Sequence, residues 1–153
     1  MGDIFEGLPV GKKVFSMGRT ISEGDFSLLV NLNWTISSLH VDAEYMKSTQ
    51  FGERILPGVC VLSTTIGLAN IGGVRQPLLD RQLRLVALVG FDNVRFTGPV
   101  HPGDTITVES EILDVSPTSN PARSLVRFKD VTRKQTGETV MEDIRVELYE
   151  LVK

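Results

Sequence analysis

Among its 153 residues the chain has a single cysteine, Cys60. One thiol cannot form an internal disulfide, so a reducing compartment suits the chain and stability must come from the core. Positive charge is not in excess either. Sixteen Lys and Arg stand against 19 Asp and Glu, a formal charge of −3, which gives no electrostatic reason to expect nucleic-acid binding. No apolar run approaches a membrane span. The opening MGDIFEGLPVGKK lacks the basic-then-apolar order of a signal peptide, and Gly2 is not followed by Ser or Thr at the position that myristoylation prefers. Internal repeats and low-complexity tracts are also missing, and no metal or cofactor is expected. With 41% hydrophobic and 23% charged residues, the chain has the composition of an ordinary globular domain. These exclusions leave a soluble, cytoplasmic protein whose residues 1–153 form one domain.

The segments present have a definite order. KKVFSMGRTI (12–21) suits a first strand, and Ser22 to Asp25 looks like a helix start, with Phe26, Leu29, Val30 and Asn33 following at helical spacing. Trp34 to Leu39 reads as loop. Asp42 suits the cap of a short helix, AEYMKST, ended by the Phe51-Gly52 turn. From Pro57 to about Asn70 the chain is apolar nearly all round, which marks a buried helix, and Gly72-Gly73 stops it. The rest reads as strands over 87–96, 105–115, 124–133 and 138–151. In 105–115, Ile106, Val108 and Ile112 alternate with Thr107, Glu109 and Glu111; in the last strand Ile144, Val146 and Leu148 face opposite Arg145, Glu147 and Tyr149. An all-apolar helix needs cover on most of its surface, so the expected fold is α+β: a single hot-dog domain whose antiparallel sheet, polar on its outer face, wraps one buried central helix. Such a sheet is expected to pair with a second copy.

Two stretches carry a resemblance. His40-Val-Asp42, Phe51-Gly52, Ile55 and Gly58 fall in register, without a gap, with a loop of the form G-D-x-N-P-x-H-x-D, a short helix, F-G, an isoleucine and H-G at a helix start. VRFTGPVHPGD (94–104) is similar to F-x-x-P-V-x-P-G-D. Together they resemble the MaoC-like dehydratases, which include the (R)-specific enoyl-CoA hydratases, from about Arg19 to the C-terminus. Several positions depart from that pattern. Thr35 stands where the resemblance implies the catalytic aspartate, and Ser37 and Ser38 where it implies Asn-Pro. Pro57 replaces the histidine of H-G, Ile66 a serine of the buried helix, and Trp34 a glycine.

The resemblance implies reversible water addition to an α,β-unsaturated acyl thioester, carried by CoA or acyl carrier protein. That chemistry needs a base for the water, an acid for the α-carbon and a partner for the enolate oxygen. Imidazole exchanges protons near neutral pH, so His40 suits proton transfer. The backbone N–H at Gly58 suits the thioester oxygen, since a helix N-terminus offers orphan donors and glycine allows close approach. Thr35 is the third candidate catalytic position. It can orient a water but cannot take its proton. Trp34, Ser37, Pro57 and Ser63 are candidate substrate-binding positions. Other roles are weighed beside these: Asp42 as a cap, His101 as a surface residue, Asp104 as a turn residue, and Ser63, Thr64 and Thr65 as hydroxyls bonding back to their own helix. Lys12, Lys13, Arg54, Arg75, Arg84 and Arg95 are too scattered to mark a CoA phosphate site. Two alternatives stand beside the hydratase: a non-catalytic acyl-binding subunit of a heteromeric hydratase, and a thioesterase, which would want a carboxylate on the buried helix. The expected assembly is a homodimer or higher homo-oligomer, or a heteromer with another hot-dog chain.

Overall fold

A computed structural model describes residues 5–152; Gly2 and the myristoylation expectation lie outside them. The elements follow the expected order. Two short strands, β1 (Val14–Phe15) and β2 (Arg19–Thr20), precede three helices, α1 (Glu23–Leu32), α2 (Ser38–Val41) and α3 (Ala43–Lys47). The long helix α4 (Gly58–Ile71) and the short α5 (Gln76–Leu79) come next. Four long strands finish the chain: β3 (Leu83–Phe96), β4 (Thr105–Pro117), β5 (Arg123–Lys134) and β6 (Thr139–Leu151). All pairings are antiparallel, in the order β1-β4-β5-β6-β3, with β2 also on β4. Helix α4 packs on β4 and β5, burying Cys60, Val61, Thr65, Leu68 and Ala69. This is a hot-dog fold. Among the described residues no helix is long and apolar enough to cross a membrane.

Local signals account for the boundaries. Ser22 and Asp25 form a reciprocal capping box at the start of α1, each accepting the other's backbone N–H at 3.1 Å. Asp42 caps α3 by accepting the Tyr45 N–H at 2.9 Å. The strand expected over 12–21 is divided in two, because Ser16 uses its hydroxyl as acceptor for the Val108 N–H. Helix α2 begins inside the expected loop. Helix α5, with Pro77 in its first turn, was not expected, and β3 starts four residues before Ala87.

Two expectations about faces need correction. The helix is not covered all round within one chain: Val59, Ser63, Gly67 and Ile71, spaced four apart, form an exposed stripe. Its all-apolar sequence exceeds what one sheet covers. The polar row of β6 is also the inner one. Asp143, Arg145, Glu147 and Tyr149 are at most 1% exposed. Alternation shows which residues share a face, not which face is buried, and here a polar network offsets the cost of burying charge. Arg145 donates to Asp130 on β5 at 3.1 Å, to Glu147 at 2.5 Å and to Asn70 on α4 at 3.4 Å. Glu147 also accepts from Tyr149 at 2.8 Å and from Arg75. Ser110 on β4 donates to Asp130 at 2.6 Å.

Asp143 lies directly opposite Asp130 in the β5–β6 register, and both its oxygens lack a hydrogen-bond partner among the described residues. Burial, with the Asp130 carboxylate nearby, pushes Asp143 up to about 7 against the opposing pull of Arg145. Since an unfolded aspartate titrates near 4, the folded state holds the proton more tightly. The resulting stability is complete below about pH 4 and is lost as pH rises through about 7. Asp143→Asn stays neutral. It is expected to flatten the urea-unfolding stability between about pH 4 and 7, and to exceed the wild type at the upper end. A variant profile as steep as the wild type's would contradict a protonated Asp143.

Candidate active site

The site begins with the segment between α3 and α4, which is held from three sides. Leu39 accepts the Ile55 N–H at 3.2 Å, Val100 accepts the Leu56 N–H at 2.7 Å, and Arg54 reaches Glu23 at 2.7 Å with its guanidinium 5.2 Å from the Phe26 ring. His101 is not a surface residue. Its Nδ1 lies 3.0 Å from the Arg54 carbonyl and it is half-buried. Asp104 holds that turn by accepting the His101 N–H at 2.8 Å.

His40 closes the arrangement. Its Nδ1 lies 2.7 Å from the Ile55 carbonyl. A carbonyl only accepts, so Nδ1 carries the hydrogen, and Nε2 of the neutral ring keeps a free lone pair. The ring borders two cavities. The larger, about 410 Å³, is lined by His40, Phe51, Ile55, Leu56, Gly58, Val61 and Phe96 to Pro99; the smaller, about 140 Å³, lies against α1 at Phe26 and Val30 and against Arg54. Gly58 is the first residue of α4 and Pro57 its N-cap. The Pro57 carbonyl accepts from Cys60 at 2.9 Å and Val61 at 3.1 Å, while the first N–H groups of the helix have no acceptor within it. His40 and the first residue of α4 thus line one largely apolar cleft.

The other candidate positions lie elsewhere. Thr35 faces α1, with its hydroxyl 3.4 Å from the Val30 carbonyl, and it does not line the larger cavity. Its neighbour Cys60 is fully buried, and that burial pushes the thiol up, opposed by the Thr35 hydroxyl. Trp34 is 86% exposed at φ 55, a left-handed conformation that a bulky residue adopts at a cost of roughly 1–2 kcal/mol and glycine does not. Ser37 is an exposed N-cap of α2 without a side-chain cap bond. Ser63 is exposed and, like Thr64, bonds back to the Cys60 carbonyl, whereas Thr65 meets Thr132 of β5 at 2.6 Å. Of the scattered basic residues, Lys13, Arg54, Arg75 and Arg84 are engaged with Glu109, Glu23, Glu147 and Glu150. Sequence reasoning gave no role to Phe51, Val61 and Phe96. The signals were there, in the Phe51-Gly52 turn and in VRFTGP, but nothing in them said that they meet. Among the described residues no group of three or more His, Cys, Asp or Glu could hold a metal.

A hot-dog domain with a histidine lining the same cleft as the first residue of its central helix defines the class. The MaoC-like domain family matches residues 9–134, and the chain belongs to that family. Protein MaoC of Klebsiella aerogenes is 33% identical over 104 residues, 68% of this chain and 29% of that one. The β-methylmalyl-CoA dehydratase of Chloroflexus aurantiacus is 26% identical over 94% of this chain and 39% of its own length. The chain thus spans well under half of these two relatives. It spans 85% of the (R)-specific enoyl-CoA hydratase of Rhodospirillum rubrum, at 27% identity over 90% of this chain. Among solved structures, a monoamine oxidase regulatory protein from Archaeoglobus superposes with a TM-score of 0.83 at 29% identity, covering 97% of this chain and 95% of that one.

The burial of Cys60 gives a direct check. A thiol reagent is expected to leave the native protein unlabelled and to label it fully in denaturant. Rapid native labelling, followed by mass spectrometry, would show that the wall between Thr35 and α4 opens.

Proposed function

We propose that the protein is a hydratase or dehydratase of an α,β-unsaturated acyl thioester, carried by CoA or acyl carrier protein. The observation that supports this reading best is the Ile55 carbonyl fixing the His40 tautomer, with Nε2 left free, in a residue that lines one cleft with Gly58. In the hydration direction Nε2 takes a proton from water, and the water oxygen bonds to the β-carbon. The π pair shifts toward the thioester, whose oxygen gains negative charge at the Gly58 N–H. The imidazolium then returns its proton to the α-carbon. The reverse sequence eliminates water. One preorganised donor at such an oxygen is typically worth about 3 kcal/mol. The family's named relatives, hydratases and dehydratases of acyl-CoA, agree with this chemistry.

A second reading also draws support. No carboxylate lines the cleft among the described residues, and Thr35 is turned to the Val30 carbonyl. That suits a non-catalytic acyl-binding subunit working beside a catalytic hot-dog chain. A thioesterase draws none, since α4 carries no carboxylate. Pairing belongs to both readings. The β3 strand is an unpaired edge, with Leu85, Val86, Leu88 and Val89 between 38% and 58% exposed, and α4 leaves its own stripe uncovered. Exposed apolar edges of this length invite a partner strand. Light scattering at micromolar concentration is expected to give a dimer or larger, and a monomer would leave both surfaces unexplained.

Hydration of crotonyl-CoA and longer enoyl-CoAs distinguishes the readings. His40→Ala is expected to lower the rate at least about 10²-fold with the fold intact. Thr35→Ala should cost less than about tenfold, because its hydroxyl faces away from the cleft. A wild type that binds acyl-CoA but hydrates none of the series would favour the subunit reading. Hydration that survives His40→Ala unchanged would remove His40 from the mechanism.

A further inference from the structure

The Phe96 ring rests on the backbone of Gly58. A Cβ placed on Gly58 would lie 2.8–3.0 Å from three atoms of that ring, closer than van der Waals contact allows. With the ring in this position it occupies the place that a side chain on Gly58 would take. Phe96 ends β3, the edge strand, and pairs with Met141 of β6, so its backbone is fixed. Its side chain is nevertheless 51% exposed, and a ring anchored at one end with solvent on the other side can swing away. It lines the same cavity as His40.

We propose that Phe96 is the residue that sets the acyl-size limit of this cleft, by closing it over the N-terminus of α4. The inference rests on the acyl-thioester reading above. Any thioester oxygen that reaches the Gly58 N–H must share the space over Gly58 with the ring. A short, flat acyl group slips beside it, while a long or branched one must displace it. Ring and glycine thus form one device. A smaller residue at 96 enlarges the cleft and a larger one shrinks it, without altering His40 or its hold on Ile55.

Calorimetric binding of butyryl-, isobutyryl- and octanoyl-CoA tests this, because saturated thioesters bind whether or not the chain is a catalyst. Relative to butyryl-CoA, Phe96→Ala should favour octanoyl- and isobutyryl-CoA by at least about tenfold, the discrimination that a methylene or two gives in an apolar pocket. Phe96→Trp should shift the preference the other way, and it supplies the test if the alanine variant does not fold. Affinities relative to butyryl-CoA that are unchanged between wild type and either folded variant would overturn the role of Phe96 while leaving the acyl reading intact. A wild type that binds none of the three would overturn both.

Discussion

One buried guanidinium holds the two layers of this domain together. Arg145 is fully buried, and it bonds to Asp130 on the neighbouring strand, Glu147 on its own and Asn70 on α4. Its guanidinium also lies 4.8 Å from the centre of the Phe128 ring. Removing it would leave Asp130 buried without its counter-charge and Glu147 with Arg75 alone, and breaking a buried pair in this way is typically worth about 3–5 kcal/mol. The network is directional in a way that an apolar core is not. Through Asn70 and Arg75 it fixes the C-terminal end of α4 against the sheet, and Thr65–Thr132 fixes the middle. These bonds set the position of the helix on the sheet, and its other end meets the strand end at Phe96.

That fixed helix is what makes a site possible. The N-terminus of α4 offers unpaired donors in an apolar setting, where a developing negative charge interacts more strongly than in water. His40 is brought to the same place by two reciprocal bonds between residues 39–40 and residue 55. This is preorganisation at low cost, since the carbonyl that orients the imidazole also selects its tautomer. Among the described residues no carboxylate lines the cleft beside the histidine. Under the proposed hydration one group, His40, would serve as both base and acid, with no second charge to hold the water.

Trp34 and Thr35 illustrate how a sequence departure reads differently once it is folded. Trp34 takes a left-handed conformation just after α1, so the position still imposes the backbone that glycine would provide. Thr35 faces α1 and Cys60 rather than the cleft. The two changes alter the same turn, and a strained exposed aromatic there is an observation about the surface of the domain as much as about its cleft.

The sequence alone determined the order of the elements, the capped starts of α1 and α3 and the strand alternation, because these depend on local periodicity and on residues close in the chain, while the candidacy of His40 and Gly58 came from the motif resemblance. Other features depended on contacts between distant residues. The inward direction of Arg145 and Glu147 follows from partners on α4, β5 and the segment after α4. The extent of β3, the split of the first strand and the short α5 follow from pairing and packing that no local pattern encodes. The meeting of Phe96 with Gly58, 38 residues apart in the chain, required the sheet to turn back over the helix. Alternation has two faces and no sign. Only the tertiary structure, by burying one of them, decided which.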